Sequence, residues 1–110
     1  MEKFMKGDIV IVPFMYSDFS GVKKRPALIV ANLKGDDIIL CEITSQPRMD
    51  SYSVKLDQND ICRGKLNTSS IIRPNKIFTT DSSLILYKLG TVTESKIRQV
   101  EKILTNIFTN

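Results

Sequence analysis

Pro26-Ala27-Leu28-Ile29-Val30-Ala31, then Asn32 and the turn Gly35-Asp36-Asp37, then Ile38-Ile39-Leu40-Cys41-Glu42-Ile43-Thr44, is the stretch that decides the fold. Two apolar runs of strand length, joined by a short Gly/Asp connection, predict an antiparallel hairpin. Working outward, Ile9-Val10-Ile11-Val12 reads as a β-branched strand closed by Pro13. Tyr52-Ser53-Val54-Lys55-Leu56 alternates with period two, as a half-buried strand should. Ser70-Ile71-Ile72-Arg73 and Lys76-Ile77-Phe78-Thr79 predict further strand pieces split by Pro74-Asn75, and Leu86 to Val92 adds a last one.

The period changes at Thr93. Ile97, Val100, Ile103, Leu104, Ile107 and Phe108 recur at helical spacing, with Lys96, Arg98, Gln99, Glu101 and Lys102 on the other face. Thr93 suits an N-cap, and Glu94 suits the positive end of the helix dipole. Short strands punctuated by Pro and Gly and closed by one helix predict a mainly β domain over residues 1–110, a small barrel with a helix packed beside it.

Bulk properties narrow the function. With 110 residues and 42% apolar content the chain can bury one modest core. Cys41 and Cys62 are too few for a disulfide-dense secreted scaffold. They lack a CxxC spacing and the chain has no histidine, so no metal site and no cofactor is expected. Met1 to Gly7 holds no apolar run of signal-peptide length, and nothing reaches the length of a membrane span, so the cytoplasm is the expected compartment. The net charge of +4 and a pI near 9.2 suit a polyanionic partner, and equally suit plain solubility.

Three segments stand out from the strand background. The loop from Met15 to Pro26 sets Lys23, Lys24 and Arg25 beside Tyr16 and Phe19, a combination that can hold phosphate and stack a base. The same residues also fit an exposed hairpin loop with solvated charges. Ile43-Thr44-Ser45-Gln46-Pro47-Arg48 is a strand running out into hydroxyl, amide and guanidinium groups, or ordinary strand-end polarity. In the third, Ser69 to Asp81, Arg73 and Asn75 share strand parity and so one face, which equally fits an exposed sheet face bearing ordinary polar residues.

Taken together, four elements resemble the MazF/PemK toxin family. They are the opening Gly7-Asp8-Ile9-Val10, the segment Arg25-Pro26-Ala27-Leu28-Ile29-Val30, the element Ile43-Thr44-Ser45-Gln46, and Ile77-Phe78-Thr79-Thr80-Asp81. They stand in family order across nearly the whole chain. The resemblance implies an SH3-like β-barrel with a C-terminal helix, assembled as a homodimer. It also implies a toxin that cleaves single-stranded mRNA at short sequences without a metal and is neutralised by a cognate antitoxin.

Carried over residue by residue, the resemblance implies that Arg25 and Thr44 are catalytic. Lys23, Lys24, Ser45, Gln46, Arg73 and Asn75 would then bind RNA. Asn75 stands where the PemK branch has an aspartate, Phe78 stands in place of an arginine, and the first-loop histidine of that branch is absent. These departures favour the Arg25/Thr44 pair. An arginine stabilises the charge that grows on phosphate oxygens but is a poor general base. Asp18, Glu42 and Asp81 are the open choices for that role, and Glu42 shares strand parity with Thr44. Two other readings use the same fold: a CcdB-like toxin that contacts a protein target, and a barrel that binds RNA without cutting it.

Overall fold

A computed structural model describes residues 3–15, 20–46 and 49–110. Among the described residues seven strands, β1 (Asp8–Met15), β2 (Val22–Asn32), β3 (Asp37–Thr44), β4 (Val54–Leu56), β5 (Ile61–Gly64), β6 (Ser70–Asp81) and β7 (Tyr87–Val92), precede one α-helix, α1 (Glu94–Thr109). They form one curled antiparallel sheet in the order β4-β6-β3-β2-β1-β7-β5. The mainly β fold with a C-terminal helix is the expected one. Among the described residues no helix is long and apolar enough to cross a membrane.

The hairpin of β2 and β3 lies at the centre, with Leu28 opposite Cys41 and Ile29 opposite Leu40. Its apolar runs are continuous rather than alternating because the central strands are buried on both faces. Ile9, Leu28, Cys41, Ile43 and Ile72 face one core, which Ile97 and Val100 of α1 cover. Val10, Val12, Ala27, Ile29 and Leu40 face a second core with Ile38 and Ile85, edged by Phe4, Phe14 and Phe78. Phe14 and Phe78 meet edge to face there, ring centroids 4.9 Å apart. Burial pushes the Cys41 thiol up to about 12, which leaves it an inert core residue, while Cys62 is exposed.

The helix begins as its sequence predicts, the Thr93 hydroxyl accepting from the Lys96 amide. Lys96 then ties the two sheet edges together. Its ammonium donates to the Lys55 carbonyl of β4 and stands 3.6 Å from Asp60, the residue before β5. A sheet whose two edge strands answer to one side chain must be strongly curled. Of the predicted apolar stripe, Phe108 at the last turn remains exposed.

Several boundaries differ from expectation, each for a physical reason. Pro13 does not end β1, because β7 pairs only as far as Ile11 and the ladder beyond has a single partner, where a missing N–H is tolerated. The cations expected in a loop lie on a strand, since β2 starts at Val22 and pairs Lys23, Lys24 and Arg25 with Phe14, Pro13 and Val12. Pro74-Asn75 does not split β6 but forms a bulge, the register passing from Ile77 opposite Cys41 to Arg73 opposite Glu42. Tyr52 and Ser53 belong to a turn organised by Asp50, whose carboxylate accepts from the Tyr52 amide. The short β5 has no apolar pattern of its own and was not expected.

Candidate functional site

Side-chain parity places the site. On the face of the second core, β3 presents Ile38 and Leu40, then Glu42 and Thr44. On the same face β2, read backwards, presents Ile29 and Ala27, then Arg25 and Lys23. Both strands outrun the apolar core at the same end and turn polar together. The third wall comes from β6, where Arg73 is directly opposite Glu42. The β6 bulge brings Lys76 to the same place.

The result is a polar cleft of about 180 Å³ lined by Arg25, Glu42, Thr44, Gln46, Arg73 and Lys76. Glu42 is its organising group and is buried, 7% exposed. Arg25 Nη1 donates to Glu42 Oε1 at 2.8 Å. Among the described residues Glu42 Oε2 has no hydrogen-bond partner, while Lys76 Nζ and Arg73 Nη1 stand 3.7 and 3.8 Å from it. Behind Arg73 is Asp50, 3.9 Å from Nη2, which also accepts from Asn75 Nδ2 at 3.3 Å. The Tyr52 amide holds the Asp50 carboxyl below the usual carboxylate range, helped by hydrogen bonds from Ser53 and Asn75 and by the Arg73 charge. Thr44 Oγ1 accepts from the Gln46 amide at 3.2 Å, so its own proton can be turned into the cleft.

The predicted residues are thus brought together in part. Arg25, Thr44, Gln46 and Arg73 line the cleft. Asn75 sits beside it in the β6 bulge, and both it and Arg73 reach Asp50. Lys23 is on the face of Arg25 but one step further out, and Ser45 is exposed where β3 ends. Lys24 faces the opposite side of the sheet from Arg25. Asp81 is removed as a candidate base: it caps the turn Ser82–Leu84 and pairs with Asp37, at the far end of β3 from Thr44. Asp18, Tyr16, Phe19, Pro47 and Arg48 lie outside the described residues. Lys76 and Asp50 were missed. A bulge is invisible to strand parity, and only the Pro74-Asn75 pair hints at one.

Among the described residues no group of three or more Cys, Asp or Glu side chains is placed to hold a metal ion. What the cleft offers instead is N–H and O–H donors around one carboxylate, a cradle for a phosphate group.

Comparison with known proteins gives the family and the fold. Residues 5–108 match the family of PemK-like, MazF-like toxins of type II toxin–antitoxin systems. The chain belongs to that family. Its fold is similar to an endoribonuclease solved in complex with its cognate antitoxin from a mycobacterial species, with TM-score 0.77 and 17% identity over 96% of this chain and 95% of that one. It is also similar to the Mycobacterium tuberculosis toxin MazF-mt6, with TM-score 0.70 and 20% identity over 92% and 95% of the two chains. A MazE–MazF structure from Deinococcus radiodurans gives TM-score 0.73 and 19% identity over 93% and 92%. Comparison with the curated proteins gives no match.

Proposed function

We propose that this toxin is a sequence-selective endoribonuclease that cuts single-stranded RNA without a metal. The observation that carries the reading is the cleft in which Arg25, Arg73 and Lys76 surround one buried carboxylate beside the Thr44 hydroxyl. In such a reaction the ribose 2′-oxygen attacks the adjacent phosphorus as its proton leaves. The bond from phosphorus to the 5′-oxygen breaks, and that oxygen takes up a proton. The products are a 2′,3′-cyclic phosphate and a 5′-hydroxyl end.

Negative charge on the phosphate oxygens rises towards the transition state, so donors fixed beforehand favour it over the ground state. Arg25 offers a planar fork whose remaining N–H groups are not engaged by Glu42. Thr44 donates to the same oxygens or orients the 2′-hydroxyl. Arg73, Lys76, Lys23 and Gln46 extend the contact along the strand backbone. Purified protein should cleave a long RNA in excess EDTA and leave cyclic-phosphate ends. Loss of activity in EDTA with recovery on adding magnesium would overturn the metal-free mechanism, and intact RNA under all conditions would favour a binding toxin.

The solved relatives that contain an antitoxin support a cognate antitoxin as partner here. A homodimer is part of the same reading. An apolar groove lined by Val30, Ile39, Ile77, Leu104 and Phe108 borders α1, with Ile77 and Phe108 exposed. Exposed apolar side chains in a groove of this kind suit burial against a second copy. Light scattering should give twice the chain mass at micromolar concentration. A monomer there would remove the dimer.

A further inference from the structure

We propose that Glu42 is a positioning residue of this nuclease, holding Arg25 in its working orientation and assembling three cations from two other strands; the inference rests on the reading above. The nearest alternative role, direct proton acceptor, fits the geometry poorly. Glu42 Oε2 is shielded within the cleft by Arg73 and Lys76, and Oε1 is committed to Arg25. Glu42 therefore acts on RNA only through its neighbours.

The argument starts from cost. A buried carboxylate is unfavourable unless cations and hydrogen bonds compensate it. Arg25 comes from β2, and Arg73 and Lys76 come from β6. Without an anion between them these three would repel one another. Glu42 is on the strand between those two, and three cations around one carboxylate leave the cleft two positive charges. The two carboxylate oxygens divide the work. Oε1 fixes Arg25 at 2.8 Å, whereas Arg73 and Lys76 stand near Oε2 beyond hydrogen-bonding distance. The first is clamped before substrate arrives. The other two keep their N–H groups for a phosphate.

Removing the charge but not the shape separates this role from a structural one. Glu42→Gln should lower the saturating single-turnover rate by about ten- to a hundredfold, the scale of a misplaced catalytic group. Its affinity for RNA should stay the same or rise, because the cleft has lost a negative charge. Affinity is read by fluorescence anisotropy with a labelled, fully 2′-O-methylated RNA that cannot be cut. A merely structural residue would lose rate and affinity together, and that parallel loss, or an unchanged rate, overturns the proposal. If circular dichroism shows Glu42→Gln unfolded, Glu42→Asp takes its place: the charge is kept one methylene short, and the same split with a smaller rate loss is expected. A second readout needs no activity. ¹⁵N relaxation should find the Arg25 Nε–H ordered in the wild type and mobile on the nanosecond scale in Glu42→Gln. An Arg25 group mobile in both proteins overturns the positioning role. An ordered Arg25 in a wild type that cuts no RNA overturns the nuclease reading and leaves the clamp standing.

Discussion

Arg25→Lys is expected to lose about a hundred- to a thousandfold in single-turnover rate, the usual cost of removing one preorganised donor to a developing oxyanion. The structure gives the reason a conserved charge does not suffice. Arg25 engages Glu42 through Nη1 and keeps its other N–H groups for substrate. A lysine offers one compact ammonium and lacks the planar fork that holds Glu42 with one nitrogen while presenting the others to a phosphate. RNA affinity should change little, because the total charge is the same. The measurement is cleavage of a short RNA with enzyme in excess, on protein shown to be folded.

Thr44→Val belongs to the same experiment, since it removes the hydroxyl while keeping near-equal volume at a half-buried strand end. It should also slow cleavage without unfolding the chain. Arg73→Ala should cost less rate and more affinity, because Arg73 stands beyond hydrogen-bonding distance of Glu42 and keeps its N–H groups for a phosphate. Wild-type rates in folded Arg25→Lys and Thr44→Val would remove both residues from the active site and with them most of the functional reading.

How much of this was legible in the sequence depends on the interaction concerned. The central hairpin was, because apolar runs buried on both faces leave an unambiguous signal in Leu28 to Val30 and Ile38 to Ile43. The helix was, through its period and the Thr93 cap. Arg25 and Thr44 could be chosen by resemblance, yet the cluster that joins them to Arg73 and Lys76 depends on β6 lying beside β3, a pairing of residues about thirty positions apart. Glu42 carried a local hint, a carboxylate with the parity of Thr44 that interrupts the apolar run from Ile38 to Ile43. Parity alone did not separate it from Asp81, which the fold uses as a turn cap. The loop reading of Lys23 and Lys24 failed because polar residues on a strand that has outrun its core resemble a loop in composition.

The largest stability effect is expected at the edge of the sheet, from Gly64→Ala. Gly64 closes β5 opposite Gly90 of β7 with φ of +89°, a conformation L side chains rarely adopt. A Cβ there would stand 2.6 Å from Gly90 Cα and closer still to the Leu89 carbonyl oxygen, both rigid backbone atoms. Strain and overpacking together should cost about 2–5 kcal/mol. For a domain of this size that lowers the melting temperature by roughly 10 °C or more. Gly35→Ala separates the two causes. Its φ is +82°, but an added Cβ meets nothing within 4 Å, so it carries the conformational penalty alone. It should melt only a few degrees below wild type. The damage from Gly64→Ala should also spread to the start of α1, because Asp60, just ahead of β5, accepts from the Thr93 amide and pairs with Lys96. Hydrogen exchange would then show faster opening at Thr93 and Lys96 in Gly64→Ala than in Gly35→Ala. Equal melting temperatures for the two variants would mean that β5 can withdraw from β7 at little cost, and that the close glycine contact does not hold the sheet edge.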